Sequence, residues 1–96
     1  MKEEMINKIR EKRAKITVVG LGRVGLPVAT IFANAGYHVT GVDNNKIVNT
    51  VSSPEFSSKE KGLQELIREL VKIGKLDATN DIAKAIKSTN IVIICV

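Results

Sequence analysis

Three glycines at a fixed spacing are the residues of this sequence most suited to a chemical role. Gly20, Gly22 and Gly25 form a G-x-G-x-x-G motif. Glycines at these positions tighten a turn, let a backbone approach a diphosphate, and let a helix pack closely on a strand. N–H groups at the start of the following helix then attract an anion. The motif predicts a pyrophosphate site, with these contact residues: Gly20, Leu21, Gly22, Arg23, Val24 and Gly25.

An acidic residue completes this pattern. Asp43 lies 18 positions after Gly25, at the end of an apolar segment. A carboxylate there accepts hydrogen bonds from ribose hydroxyls and repels a 2′-phosphate, so the sequence favours NAD over NADP as the cofactor. Lys46 follows three residues later. Two interpretations of Lys46 remain open: a contact with the ribose or adenine edge, or a solvated side chain.

The segments around the motif predict a strand, a helix and a second strand. Ile16–Val19 is a β-branched run, the apolar residues from Val24 to Ala35 recur at helical spacing, and Tyr37–Val42 is again strand-like. Pro27 is tolerated only in a first helical turn, which places the helix start near Gly22 or Arg23. The next predicted elements are a weak helix at Asn45–Val51, a loop at Ser52–Ser58, an amphipathic helix at Leu63–Ile73 and a strand at Leu76–Thr79. A short helix follows, capped by Thr79 or Asn80 and with Asp81 in its first turn. The last predicted element is an apolar strand at Ile91–Val96.

This alternation predicts an α/β fold, a Rossmann-type doubly wound parallel sheet that is partial, with about four strands in the order 3-2-1-4. The last strand then lies beside the first, and we expect both of its faces to be covered because it is entirely apolar. Its final residues, Cys95 and Val96, would border the cofactor cleft at the carboxyl ends of the strands. We expect them to be adjacent to the cofactor and not catalytic.

Length and composition exclude several classes of protein. Ninety-six residues are enough for one domain, and a single cysteine and a single histidine make neither an internal disulfide nor a Cys/His metal cluster. His38 and Cys95 are predicted at opposite ends of the sheet, so they form no nucleophile–base pair. The longest apolar run has six residues, too short for a membrane span. We expect a cytoplasmic protein without a metal or a membrane partner.

The net charge of +5 is concentrated at the amino terminus. The first 15 residues carry six basic and three acidic side chains. We predict a basic amphipathic leader at 1–14, with Met5, Ile6 and Ile9 on one side, and an NAD-binding domain at 15–96. None of the three aromatic residues of the chain lies in the leader, which argues against a nucleic-acid partner.

The string Gly20–Pro27, which reads G-L-G-R-V-G-L-P, resembles the UDP-glucose/GDP-mannose dehydrogenase family and is more specific than the three glycines alone. Glu60–Leu63, Asp77–Asp81 and Ile91–Val96 also resemble segments of that family. Within it, the sequence looks most like the UDP-N-acetyl-D-mannosamine dehydrogenases. The resemblance extends from about Lys15 to Val96.

The resemblance implies an enzyme that oxidises the C6 alcohol of a nucleotide sugar to a carboxylate, using two NAD and a thioester on a cysteine. In the family that cysteine lies further downstream, so no catalytic residue is predicted here and Cys95 is not taken as the nucleophile. We therefore expect the amino-terminal part of a longer, homo-oligomeric enzyme, not catalytic alone. Two alternatives remain: a regulatory nucleotide-sensing module of the same fold, and an interaction domain that uses the basic leader.

Overall fold

The computed structural model describes residues 2–22, 24–52 and 61–95. Four strands form one sheet in the order β3-β2-β1-β4, with every neighbouring pair parallel. This confirms the predicted fold class and strand order. The elements in chain order are α1 (Lys2–Arg10), β1 (Lys15–Val19), α2 (Gly25–Asn34), β2 (His38–Val42), α3 (Asn45–Ser52), α4 (Lys61–Lys72), β3 (Leu76–Thr79), α5 (Ile82–Lys87) and β4 (Ile91–Ile94).

The hydrophobic core lies between one face of the sheet and the helices α2 and α4. Alternate residues of a strand point to the same face, which brings the apolar positions of β1, β2 and β3 together. Ala29 and Ala33, one helical turn apart in α2, are buried, and such small side chains let the helix lie close to the strands. The buried core residues are Ile16, Val18, Leu21, Ala29, Ala33, Val39, Ile67, Leu70 and Leu76.

The opposite face of the sheet is more polar. Thr17, Thr40 and Asp77 occupy one register row across β1, β2 and β3. The short helix α5 contacts β1 and β2 on this side. On β4, Val92 is 41% exposed and Ile94 is 70% exposed. The expectation that both faces of this strand are covered is therefore wrong for the described chain, because α5 has only six residues and lies over the two central strands.

Two element boundaries differ from those predicted. Helix α2 begins at Gly25, two to three residues after the predicted start near Gly22 or Arg23, although the Leu26 N–H already donates to the Gly22 carbonyl at 3.2 Å. Pro27 still lies in the first turn, as expected. Helix α5 is capped by Asp81, whose side chain accepts a hydrogen bond from the Lys84 N–H at 3.0 Å, so the predicted cap at Thr79 or Asn80 is wrong. The predicted loop at Ser52–Ser58 lies almost wholly outside the described residues, and Ser52 ends α3.

The amino-terminal segment forms the predicted helix, α1, but none of its residues is buried. Ile6 and Ile9 are 39% and 40% exposed. The Tyr37 hydroxyl donates a hydrogen bond to the Ile9 carbonyl at 3.0 Å, which ties the end of α1 to the start of β2. Within the described ranges, none of the helices is both long and apolar enough to cross a bilayer.

Candidate functional site

The glycine turn, Gly20–Gly25, lies where three neighbouring strands end. Val19, the last residue of β1, is in register with Val42 of β2 and with Ile94 of β4. Asp43 and Cys95 directly follow those two residues. Because the strands are parallel, their carboxyl ends meet at one edge of the sheet, the usual position of a ligand in an open α/β fold. The structure thus brings the turn, Asp43 and Cys95 together.

Gly20 makes the sharp exit from β1. Its φ is +97°, a conformation that L side chains rarely adopt. A Cβ at this position would also overlap the carbonyl oxygen of Cys95. The Gly20 N–H donates to the Val42 carbonyl at 2.8 Å, so the first residue of the turn remains bonded to β2. Any side chain at Gly20 would therefore displace the turn from both neighbouring strands.

Gly25 brings helix α2 against the turn. A Cβ here would overlap the carbonyl oxygen of Gly20. Gly22 lies between these two crowded glycines, yet among the described residues a Cβ at Gly22 would meet no atom within 4 Å, its two chain neighbours apart. The protein therefore leaves open space in front of Gly22, where the motif predicts that a cofactor backbone approaches.

The amino terminus of α2 has no side-chain cap. Val24 occupies the N-cap position without a side-chain hydrogen bond, and no acidic residue lies in the first turn of the helix. In the first turn of α2, Pro27 has no N–H and the Leu26 N–H donates to the Gly22 carbonyl, so an anion is attracted mainly by the partial positive charge of the helix terminus. An anion in the open space beside Gly22 would meet this charge, which the chain does not neutralise with its own carboxylates in that turn.

Asp43 is half-buried beside the glycine turn. Its Oδ2 accepts a hydrogen bond from the Leu21 N–H at 2.8 Å, and its Oδ1 accepts one from the Asn44 N–H at 2.7 Å. A carboxylate has about four lone-pair sites, so each oxygen can accept one further bond. Asp43 can therefore hold the turn and bind ribose hydroxyls at the same time.

Leu21 differs from the other predicted contact residues because both its amide and its side chain are engaged within the protein. The amide donates to Asp43, and the side chain is only 4% exposed. It packs against Gly41 of β2, where a Cβ would lie 2.5 Å from Leu21 Cδ2. Gly41 lies inside the strand-like segment Tyr37–Val42, and the sequence-based predictions give it no role in the site. A glycine inside a strand often marks a close approach of other groups, and that signal could have identified it.

The remaining predicted residues lie around the same edge. Lys46 is exposed in the first turn of α3. Cys95 is a half-buried free thiol, and its Cβ lies 3.4 Å from the position of a Cβ at Gly25. Arg23 and Val96 lie outside the described residues. The contacts of these residues with a cofactor stay predictions.

His38 is far from this site. It begins β2 in register with Lys15, at the end of the sheet opposite to the glycine turn. Cys95 follows the last residue of β4. The topology therefore keeps the two side chains apart, in agreement with the exclusion of a nucleophile–base pair. Among the described residues, no group of three or more His, Cys, Asp or Glu side chains is placed to hold a metal ion.

A cavity of about 320 Å³ lies between α5 and the polar face of the sheet, and we call it the α5 cavity. Thr17, Thr40, Asp77 and Lys84 are among its lining residues, whereas neither the glycine turn nor Asp43 contributes to it. The α5 cavity is therefore separate from the edge at which the motif residues meet.

A strand, a glycine turn and an uncapped helix, with an acid at the end of the adjacent parallel strand, define the class of dinucleotide-binding α/β domains. Residues 14–96 match the NAD binding domain of the UDP-glucose/GDP-mannose dehydrogenase family. The chain belongs to this family, and the resemblance seen in the sequence is confirmed. NAD is accordingly the cofactor of the family domain to which the chain corresponds.

Individual relatives agree with this assignment. UDP-N-acetyl-D-mannosamine dehydrogenase of Pyrococcus horikoshii is 36% identical over 85% of this chain and 20% of its own length. Its solved structure superposes with a TM-score of 0.77 at 35% identity, over 85% of this chain and 20% of that one. GDP-mannose dehydrogenase of Pseudomonas aeruginosa, solved as a ternary complex, has a TM-score of 0.78 at 30% identity, over 84% of this chain and 19% of that one. The chain thus spans about one fifth of the length of these relatives.

Proposed function

We propose that this chain binds NAD at the glycine turn and supplies the cofactor site of a nucleotide-sugar 6-dehydrogenase. The open space in front of Gly22 carries the proposal, because the flanking glycines are crowded by protein atoms and Gly22 is not. In the proposed complex the pyrophosphate lies over Gly22 at the amino terminus of α2. The adenine ribose hydroxyls donate to Asp43.

The proposed contact residues are those predicted from the sequence, except that Leu21 holds the turn, because its amide and side chain are engaged within the protein. Cys95 and Val96 are proposed to border the bound cofactor, and Lys46 is proposed to lie near the ribose. We assign the cofactor domain to residues 15–96 and treat 1–14 as a leader outside it. Supporting this division, α1 has no buried residue, and the family match begins at residue 14.

The substrate of the whole enzyme is proposed to be a nucleotide sugar whose C6 alcohol is oxidised to a carboxylate, with two NAD each accepting a hydride and water supplying the added oxygen. The relatives are named as dehydrogenases of UDP-N-acetyl-D-mannosamine and of GDP-mannose, which supports a nucleoside-diphosphate sugar. The enzyme is proposed to act in the cytoplasm as a homo-oligomer. We propose no catalytic side chain among these 96 residues. Family membership favours this function over the regulatory nucleotide-sensing module.

A bulky residue at Gly22 tests the proposed site. Gly22→Val fills the open space without meeting protein atoms near its Cβ, so the fold is expected to tolerate it. We expect at least a tenfold loss of NAD affinity by isothermal titration calorimetry, because the pyrophosphate can no longer approach the backbone. Gly62→Val is the matched control, since a Cβ at Gly62 in α4 also meets nothing within 4 Å in the part of the chain that the structure describes.

Two outcomes would contradict the proposal. The first is unchanged NAD affinity in a Gly22→Val protein that melts like the wild type. The second is an equal loss of affinity in Gly62→Val. Absence of NAD binding by the wild-type chain would reject the proposal for the chain as it stands.

A further inference from the structure

Strand β2 and Asp43, the residue directly after it, hold Leu21 at two points. The Leu21 N–H donates to Asp43 Oδ2 at 2.8 Å, and the Leu21 side chain is buried to 4% exposure. Asp43 and Gly41 are two residues apart, so both project to the same side of β2. Leu21 is therefore fixed through its backbone by Asp43 and through its side chain by the packing against Gly41 of β2.

Gly41 provides the space for that side chain. A Cβ at Gly41 would lie 2.5 Å from Leu21 Cδ2, 2.6 Å from Cδ1 and 3.0 Å from Cγ. Leu21 belongs to the buried core cluster together with Ile67 and Leu70 of α4, so its branched end has little room to move aside. A methyl group at Gly41 would push Leu21 out of its place, and the turn with it.

We propose that Leu21 is a positioning residue of the cofactor site and that Gly41 provides the space for its side chain. This inference rests on the proposed function, since it assumes that NAD binds at the glycine turn. The buried side chain and the bond to Asp43 fix the turn before the cofactor arrives. Gly22, the next residue, is thereby held with its open side toward the ligand, and less ordering is needed on binding.

The expected behaviour is a coupling between Leu21 and Gly41. Gly41→Ala should lower NAD affinity about tenfold, because the added methyl group displaces Leu21. Leu21→Ala removes the three crowded atoms, Cγ, Cδ1 and Cδ2. In that background Gly41→Ala should therefore lower NAD affinity less than about twofold. NAD affinities of the wild type, both single variants and the double variant, measured by titration calorimetry, give this cycle.

A control separates positioning from a general loss of stability. Leu70→Ala is the same truncation at an equally buried core position, 4% exposed, in α4. It should lower the melting temperature but change NAD affinity less than twofold. Leu21→Ala should lower both, with an affinity loss of about threefold or more. Should Gly41→Ala fail to fold, the comparison of Leu21→Ala with Leu70→Ala decides the question alone.

The outcomes distinguish this inference from the proposed function. If the wild type binds NAD but the Leu21 and Gly41 effects simply multiply, or Leu21→Ala binds as tightly as the wild type, the positioning role is overturned. If Leu70→Ala loses as much affinity as Leu21→Ala, the role is also overturned, because any core loss would suffice. If the wild type does not bind NAD, the proposed function fails and the inference falls with it.

Discussion

Replacing Asp43 with alanine should destabilise the protein even without a cofactor. The substitution removes the acceptor of two backbone N–H groups, those of Leu21 at 2.8 Å and Asn44 at 2.7 Å. The Leu21 bond is partly buried, so its N–H would be left with a desolvation penalty of about 1–3 kcal/mol. The exposed Asn44 N–H can turn to water. We therefore expect a loss of about 2 kcal/mol in the free energy of unfolding.

For a domain of this size, ~1 kcal/mol corresponds to about 4–8 °C in melting temperature. Asp43→Ala should accordingly melt about 10 °C below the wild type in a thermal scan followed by circular dichroism. Asp43→Asn keeps one carbonyl oxygen for the Leu21 N–H and should lose about half as much. Asp77→Ala, which removes an exposed carboxylate from the adjacent strand β3, is the control and should change little. A melting temperature of Asp43→Ala within 1 °C of the wild type would refute the reasoning.

Three further changes test other parts of the structure. Gly25→Ala places a Cβ on the Gly20 carbonyl oxygen, so it should lower the free energy of unfolding by more than the ~1–3 kcal/mol of ordinary overpacking. We expect calorimetry to show a loss of cooperative unfolding, and a melt like that of the wild type would contradict this prediction. Asp43→Arg should weaken the binding of NAD and strengthen the binding of NADP in parallel titrations. An unchanged preference between the two cofactors would count against the ribose contact. Asp81→Ala removes the N-cap of α5 and should lower the free energy of unfolding by ~1 kcal/mol in chemical denaturation. An unchanged denaturation midpoint would contradict the capping role of Asp81.

The path of the chain was predictable because local signals agreed with one another. The β-branched run at Ile16–Val19, the three glycines and Pro27 each favoured the same strand, turn and helix start, and the structure departs from them by only a few residues. Parallel strands joined by helical crossovers then left few possible arrangements, and the order 3-2-1-4 is one of them. Periodicity and turn chemistry act over short distances, so a single sequence displays them.

Features that depend on distant neighbours were not predictable. Thr79, Asn80 and Asp81 are all residue types that can cap a helix. In the structure Thr79 is paired with Val42 in the sheet, and Asp81 is the N-cap of α5. The exposure of Ile94 depends on where α5 lies and not on the strand itself. Likewise, the importance of Gly41 appears only when Leu21, twenty residues earlier, is found packed on it.

The central claim is that NAD lies at the glycine turn, with its pyrophosphate over Gly22 and its ribose at Asp43. The most direct measurement is a titration of the ¹⁵N-labelled chain with NAD, followed by amide chemical shifts. The account predicts the largest saturable shifts at Gly20, Gly22, Gly25 and Asp43. Shifts confined instead to the α5 cavity, at Thr17 and Lys84, would contradict it.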